Sequence, residues 1–228
     1  MMTIKDSVFM KKVVPYDELF WSGKKVPNFR SSFRAYDFFI KNRMYIIKHD
    51  VYCRLPPKIE KLFLNNINLL IEYAKNVGRL PNIYEQKILE SSDPKKCLIY
   101  FENCLLFREK RFEEIIIKDA MCTCKYLAVI KDNNIFISDE DKEKLFNVLL
   151  GDSKACYYYF EKTGTLPKNL HNFMMIIEIS NSDSYTSNYF KKTKEKKIDL
   201  ISKLENYLMS NEFDKKLSIK EFLYELKK

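Results

Sequence analysis

The stretch YAKNVGRLPN, residues 73–82, returns as YFEKTGTLPK, residues 159–168, with tyrosine, glycine, leucine and proline at the same internal positions 86 residues later. Such a recurrence restricts the chain to a fold that uses one supersecondary unit several times over. Sliding the sequence over itself reveals an intermediate copy. At a shift of 28, Leu70 meets Leu98, Ile71 meets Ile99, Tyr73 meets Phe101, Val77 meets Leu105, Tyr84 meets Phe112, Glu85 meets Glu113 and Ile88 meets Ile116. A third copy spans residues 122–150, with Tyr126 for Phe101 at a shift of 25 and Phe146 for Ile116 at a shift of 30, because its turn, KDNNIFISDED, is longer. A fourth, residues 155–177, restores Tyr159, Gly164, Leu166 and Pro167. A partial copy precedes them all, where Arg54, Leu55, Pro56 and Glu60 match Arg79, Leu80, Pro81 and Glu85 at a shift of 25.

Within one unit the apolar residues recur at spacings of three and four on either side of the proline, which predicts a helix, a tight turn and a second helix. Leu70, Tyr73, Ala74 and Val77 form the first stripe, and Tyr84, Ile88 and Leu89 the second. Gly78 supplies the positive φ that ends the first helix, while Pro81 presets φ where the second begins and its missing N–H costs nothing. Between units, Asp93 before Pro94, Asp119 before Ala120, and Asp152 with Ser153 after Gly151 are helix-capping signals. A single hairpin cannot shield both stripes, so neighbouring copies must stack.

Tyrosine with small residues, then Gly-Arg-x-Pro, then Glu and Ile, then Asp-Pro, resembles the short two-helix tandem repeats abundant in uncharacterised proteins of phages and large DNA viruses. The resemblance covers roughly residues 47–180. This chain departs from the pattern in three ways: Asp-Pro occurs once, at Asp93 and Pro94; the turn prolines are followed by Pro57, Asn82 or Lys168 rather than by an acid; and the middle copies lose the proline. The resemblance implies a helical array and a phage or viral accessory protein, acting in the host cytoplasm if viral; it brings no established activity.

The ends are atypical, as the ends of a stack must be. Residues 1–34 read as an irregular cap with Phe20 and Trp21 buried, and residues 35–185 as the array. Tyr36, Ile40, Met44, Ile47 and Val51 predict one long helix over residues 35–52. The polar run 184–188 reads as a loop; Ile198, Ile201, Leu204 and Leu208 predict an amphipathic helix within a C-terminal cap, residues 186–228. Ser218 with Glu221, and Leu217 with Phe222, predict a capped final helix. The expected fold class is therefore all-α: tandem helical hairpins stacked as a short α-solenoid-like array.

Only 4 glycines and 7 prolines in 228 residues agree with long helices rather than many short strands. No apolar run suits a signal peptide or a membrane span, so a cytoplasmic protein is expected. Six cysteines lie inside apolar helical patterns and read as free thiols. The net charge of +9 is uneven: residues 1–56 sum to +6, 57–185 to −1 and 186–228 to +4.

Candidate chemistry is sparse. Cys122 and Cys124 lack the CxxC spacing of a zinc knuckle, and His49 and His171 are far apart in sequence. His171 aligns with Glu85 and Glu113 and reads as a surface residue. Ser22-Gly23-Lys24-Lys25 lacks the earlier glycine and the trailing hydroxyl of a phosphate loop. The run Asp139, Glu140, Asp141 follows Ser138 as a helix start. No cofactor, metal site or catalytic constellation is expected, and the chain reads as noncatalytic.

Two partner readings remain. In the first, another protein is bound along an edge carrying Arg54, Arg79 and the proline turns. In the second, single-stranded nucleic acid meets the basic, aromatic N-terminal residues, where Phe20, Trp21, Phe29 and Phe33 alternate with Lys24, Lys25, Arg30 and Arg34. Lys191, Lys192, Lys194, Lys196 and Lys197 form a second basic cluster.

Overall fold

A computed structural model describes Trp21, residues 24–46, 51–105, 107–180 and 182–195, Asp199, Leu200 and Ser202. Phe20, Ser22, Gly23, Ile47, His49, Lys196, Lys197 and the capping box at Ser218 lie outside these residues. The described residues are mostly helical, with one two-stranded sheet. Among them no helix is long and apolar enough to cross a membrane. Packing divides the chain into one unit of residues 1–118 and 129–137 and a second of 119–128 and 138–228.

The first unit holds α1 (Ser32–Asn42), β1 (Tyr45–Ile46), β2 (Val51–Tyr52), α2 (Pro57–Glu60), a 3-10 turn (Lys61–Asn65), α3 (Ile67–Val77), α4 (Asn82–Glu90), α5 (Pro94–Tyr100), a π turn (Phe101–Leu105) and α6 (Lys110–Ile116). Both predicted stripes are buried: Leu70, Tyr73, Ala74 and Val77 on α3, and Tyr84, Ile88 and Leu89 on α4. The punctuation behaves as the sequence requires. Asn66 caps α3 by accepting the Leu69 N–H at 3.2 Å. Gly78 ends that helix at φ +80, and its N–H donates to the Ala74 carbonyl at 2.7 Å. Asp93 accepts from Lys95 and Lys96 N–H at 2.9 and 3.3 Å, with Pro94 in the first turn of α5.

The long helix expected over residues 35–52 is not formed. It stops at Asn42, and Arg43 turns extended (φ −61, ψ 140) into an antiparallel pair with Tyr45 opposite Tyr52 and Ile46 opposite Val51. The spacing of Met44 and Val51 suits a helix, but aromatic and β-branched residues gain more from cross-strand pairing. The Tyr45 and Tyr52 rings lie 5.2 Å apart, and the Arg43 guanidinium sits 4.2 Å over Tyr52.

α7 (Ala120–Asp132) contains the boundary between the units; α8 (Asp139–Leu149), α9 (Ser153–Thr163), α10 (Lys168–Ser180) and α11 (Ser184–Thr193) belong to the second. The predicted caps are present: Asp119 accepts the Cys122 N–H at 2.7 Å, Ser138 the Asp141 N–H at 3.2 Å, and Asp152 the Ala155 N–H at 2.9 Å. Gly164 ends α9 in the left-handed region at φ +75. Phe146 packs edge-on to Tyr159 at 5.6 Å, and Phe160 to Tyr189 at 4.8 Å.

Residues 184–188 are helix rather than the expected loop. Asp183 accepts the N–H groups of Tyr185 and Thr186 at 2.9 and 2.8 Å, while the Thr186 hydroxyl accepts the Asp183 N–H at 3.2 Å. This reciprocal cap satisfies the first-turn donors of α11, and Tyr189 and Phe190 bury its apolar side. A polar helix start resembles a loop when its cap is overlooked.

Candidate functional site

The arginine and glutamate that recur around the turn prolines Pro56 and Pro81 form a clasp on a buried carboxylate. In the first, Arg54 Nε donates to Glu60 Oε1 at 2.8 Å and Nη2 to Oε2. Tyr73 donates its hydroxyl to Glu60 at 2.5 Å and accepts the Leu55 N–H at 2.8 Å. The second repeats these bonds. Arg79 donates to both Glu85 oxygens at 2.9 and 3.3 Å, and Tyr100 donates to Glu85 at 3.0 Å while accepting the Leu80 N–H at 2.9 Å.

Backbone chemistry explains the design. In each Leu-Pro turn the proline has no donor, so the leucine N–H is the one that needs an acceptor. A phenol can accept it with one lone pair and still donate to the carboxylate. Glu60 and Glu85 are each 1 % exposed, and the cost of burying such a charge is offset only when cation and donors saturate it. Burial, then the Glu60 charge, pushes the Tyr73 hydroxyl well above its ordinary pKa; burial and Glu85 do the same to Tyr100. Both remain donors. Tyr84 is pushed up to about 12, first by burial and then by Glu60.

Each tyrosine stands on the helix that follows the clasp it completes. In the second clasp that residue is Tyr100 and not Phe101, which the apolar alignment pairs with Tyr73. The difference is one residue. It coincides with the π turn at Phe101–Leu105, where an extra residue is taken up before the chain reaches Glu113. Arg108 then grips Glu113 with two bonds at 2.8 and 2.7 Å. In the fourth copy Thr165 and His171 hold the positions of arginine and glutamate. His171 Nδ1 lies 2.8 Å from the Tyr189 hydroxyl, so His171 is part of an interhelical bond rather than a bare surface residue.

The clasps change the meaning of two residues expected on a partner edge. Arg54 is 7 % exposed with its guanidinium committed to Glu60, so it presents no charge at a surface. Arg79 is half-buried, bound to Glu85, 3.8 Å from Glu109 and 4.8 Å over the Phe107 ring. Arg111 adds bonds to Asn82 at 3.0 Å and Glu109 at 3.1 Å. The arginines were legible in the sequence; their tyrosine partners were not.

The N-terminal cations are placed differently. Lys25, Arg30 and Arg34 are exposed and form no ion pair with a described residue; Lys24 is half-buried. Of the aromatic residues between them, Trp21 is 2 % exposed and donates its indole N–H to the Arg54 carbonyl at 2.6 Å. Phe29 packs on Phe38 at 5.2 Å, leaving Phe33 as the open ring, 66 % exposed. Trp21, Val26, Pro27, Phe29, Pro56 and Ile59 line a groove of about 720 Å³ that Lys24, Lys58 and Leu62 also border.

The six cysteines are buried free thiols, and burial first, then Asp152, pushes Cys124 and Cys156 up to about 12. Among the described residues no group of three or more His, Cys, Asp or Glu is arranged to hold a metal ion. No protein-family model, curated protein or solved structure matches the chain.

Proposed function

We propose that this is a noncatalytic helical-repeat protein that binds another protein through its basic N-terminal surface, as an accessory protein of a phage or virus. The observation that carries this reading is the contrast between two sets of charges. The buried carboxylates are saturated by arginine and tyrosine, whereas Lys25, Arg30, Arg34 and Lys58 are exposed and pair with no described acid, and Lys58 borders the groove. Structural cations are consumed by the fold; these are left for a partner. The recurrence of one clasp at Arg54, Glu60 and Tyr73 and again at Arg79, Glu85 and Tyr100 supports stacked two-helix units. The partner surface moves from the proline edge to residues 24–34 and α2.

The test is capture of one reproducible protein partner from the source cells, compared between the native chain and Lys25→Glu with Arg30→Glu and Arg34→Glu. Capture lost on reversal, with an unchanged thermal melt, supports the proposal. Undiminished capture overturns the surface. A second reading, nucleic-acid binding, rests on the open Phe33 ring between two exposed arginines. It requires oligonucleotide binding that weakens steeply with salt and is lost in Phe33→Ala.

A further inference from the structure

We infer that the groove beside Trp21 docks an acidic segment of the partner, anchored by one aliphatic side chain. The inference rests on the protein-binding reading above and specifies its chemistry. A volume of about 720 Å³ falls within the range of about 300–1,000 Å³ typical of ligand pockets and accommodates a side chain with its flanking backbone. Its walls are Val26, Pro27, Pro56, Ile59 and Leu62 with Asn28 as a polar member, so burial of an apolar side chain against the aliphatic residues is the favourable step. The two prolines bring no N–H, which leaves little for a peptide backbone to pair with along those walls.

Charge selects the flanks of the occupant. Lys25, Arg30 and Arg34 are exposed and pair with no described acid, and Lys58, likewise exposed, borders the groove from α2. Glu60, the acid nearest to Lys58 in sequence, is buried and bound by Arg54 and Tyr73. It cannot offset the rim. Among the described residues, an acidic flank would therefore meet exposed cations without acid partners, while a basic one would be repelled. Nucleic acid is the poorer fit to this groove. Its aromatic residues turn inward, Trp21 at 2 % exposure and Phe29 against Phe38, so a base finds no open ring there to stack on.

Trp21 is the chain's single tryptophan, so its emission reports on the groove directly. The experiment titrates the full chain with a short synthetic peptide carrying a central leucine flanked on both sides by glutamates. Binding is read by Trp21 fluorescence and, independently, by calorimetry. Saturable binding is expected, weakened at least about tenfold when the leucine becomes serine, when the glutamates become lysines, or in Lys58→Glu, an exposed position that spares the fold. Absence of saturation in both readouts, equal binding of the lysine peptide, or tighter binding of a single-stranded oligonucleotide overturns the inference. Partner capture that is lost on reversal of Arg30 and Arg34 but unchanged in Lys58→Glu also overturns it, while leaving the protein-binding function standing.

Discussion

Replacing Tyr100 with phenylalanine removes one oxygen from the second clasp and leaves the ring in place. The ring keeps its stack on Phe112 at 5.2 Å, so no cavity opens. What is lost is the donor to Glu85 at 3.0 Å and the acceptor for the Leu80 N–H at 2.9 Å. A hydrogen bond to a charged group contributes about 1.5–3 kcal/mol, and an orphaned buried donor costs about 1–3 kcal/mol. Leu80 is 1 % exposed, so water cannot replace the phenol without opening the turn. Arg79 and Arg111 still hold Glu85, which keeps the carboxylate paired and limits the loss to about 3–5 kcal/mol. Urea unfolding followed by Trp21 fluorescence measures this within the same unit. With a denaturant slope of about 2 kcal/mol per molar, the midpoint falls by roughly 1.5–2.5 M. Tyr52→Phe, at a half-exposed ring of the same unit, is the control and shifts it little. A loss in Tyr100→Phe below about 0.5 kcal/mol would refute the clasp as a source of stability.

Three further outcomes follow. Partial burial pushes Asp183 upward, but bonds from Ser153, Thr186 and Tyr185 outweigh it and hold its carboxyl below the usual value. Its stabilising effect is therefore full above the unfolded pKa of about 3.9 and is lost as pH falls through the lower folded value. The stability gap between native chain and Asp183→Asn should shrink below about pH 4; a gap that widens there contradicts the assignment. Native-state alkylation at mildly alkaline pH should leave all six buried thiols unmodified until denaturant is added, and rapid labelling of Cys124 or Cys156 in the folded chain would contradict their burial. Gly164→Ala should destabilise by about 1 kcal/mol through its φ of +75 alone, since nothing lies within 4 Å of the added methyl; a thermal melt at least as high as the native chain's would refute that.

Apolar periodicity found the stripes on α3 and α4, and capping chemistry located the starts of α5, α7, α8 and α9. Those signals are local, carried by residues within one turn of each other. The clasps were half visible. Arg54 with Glu60 and Arg79 with Glu85 recur at fixed spacing, but the tyrosine comes from a later helix, and hydrophobic matching cannot distinguish Tyr100 from Phe101. Only a hydroxyl's hydrogen bonds separate them. Solvent exposure was equally hidden, because an arginine beside a turn proline reads as surface until its carboxylate is found beneath it. The short hairpin at Tyr45 and Tyr52 was missed because its residues also fit a helical face. Cross-strand pairing is a property of two segments, and neither segment announces it alone. His171 aligns with Glu85 in the sequence, but its bond to Tyr189 depends on a partner helix.

Amide hydrogen exchange at Leu55 and Leu80 tests the clasps most directly. Both N–H groups precede a proline in a turn and donate to a tyrosine hydroxyl rather than to any helix or sheet. They should exchange as slowly as the interior amides of α3, and Tyr100→Phe should release Leu80 while leaving Leu55 protected. Exchange of both at the rate of open loop amides, with α3 still protected, would mean that the phenols do not close these turns.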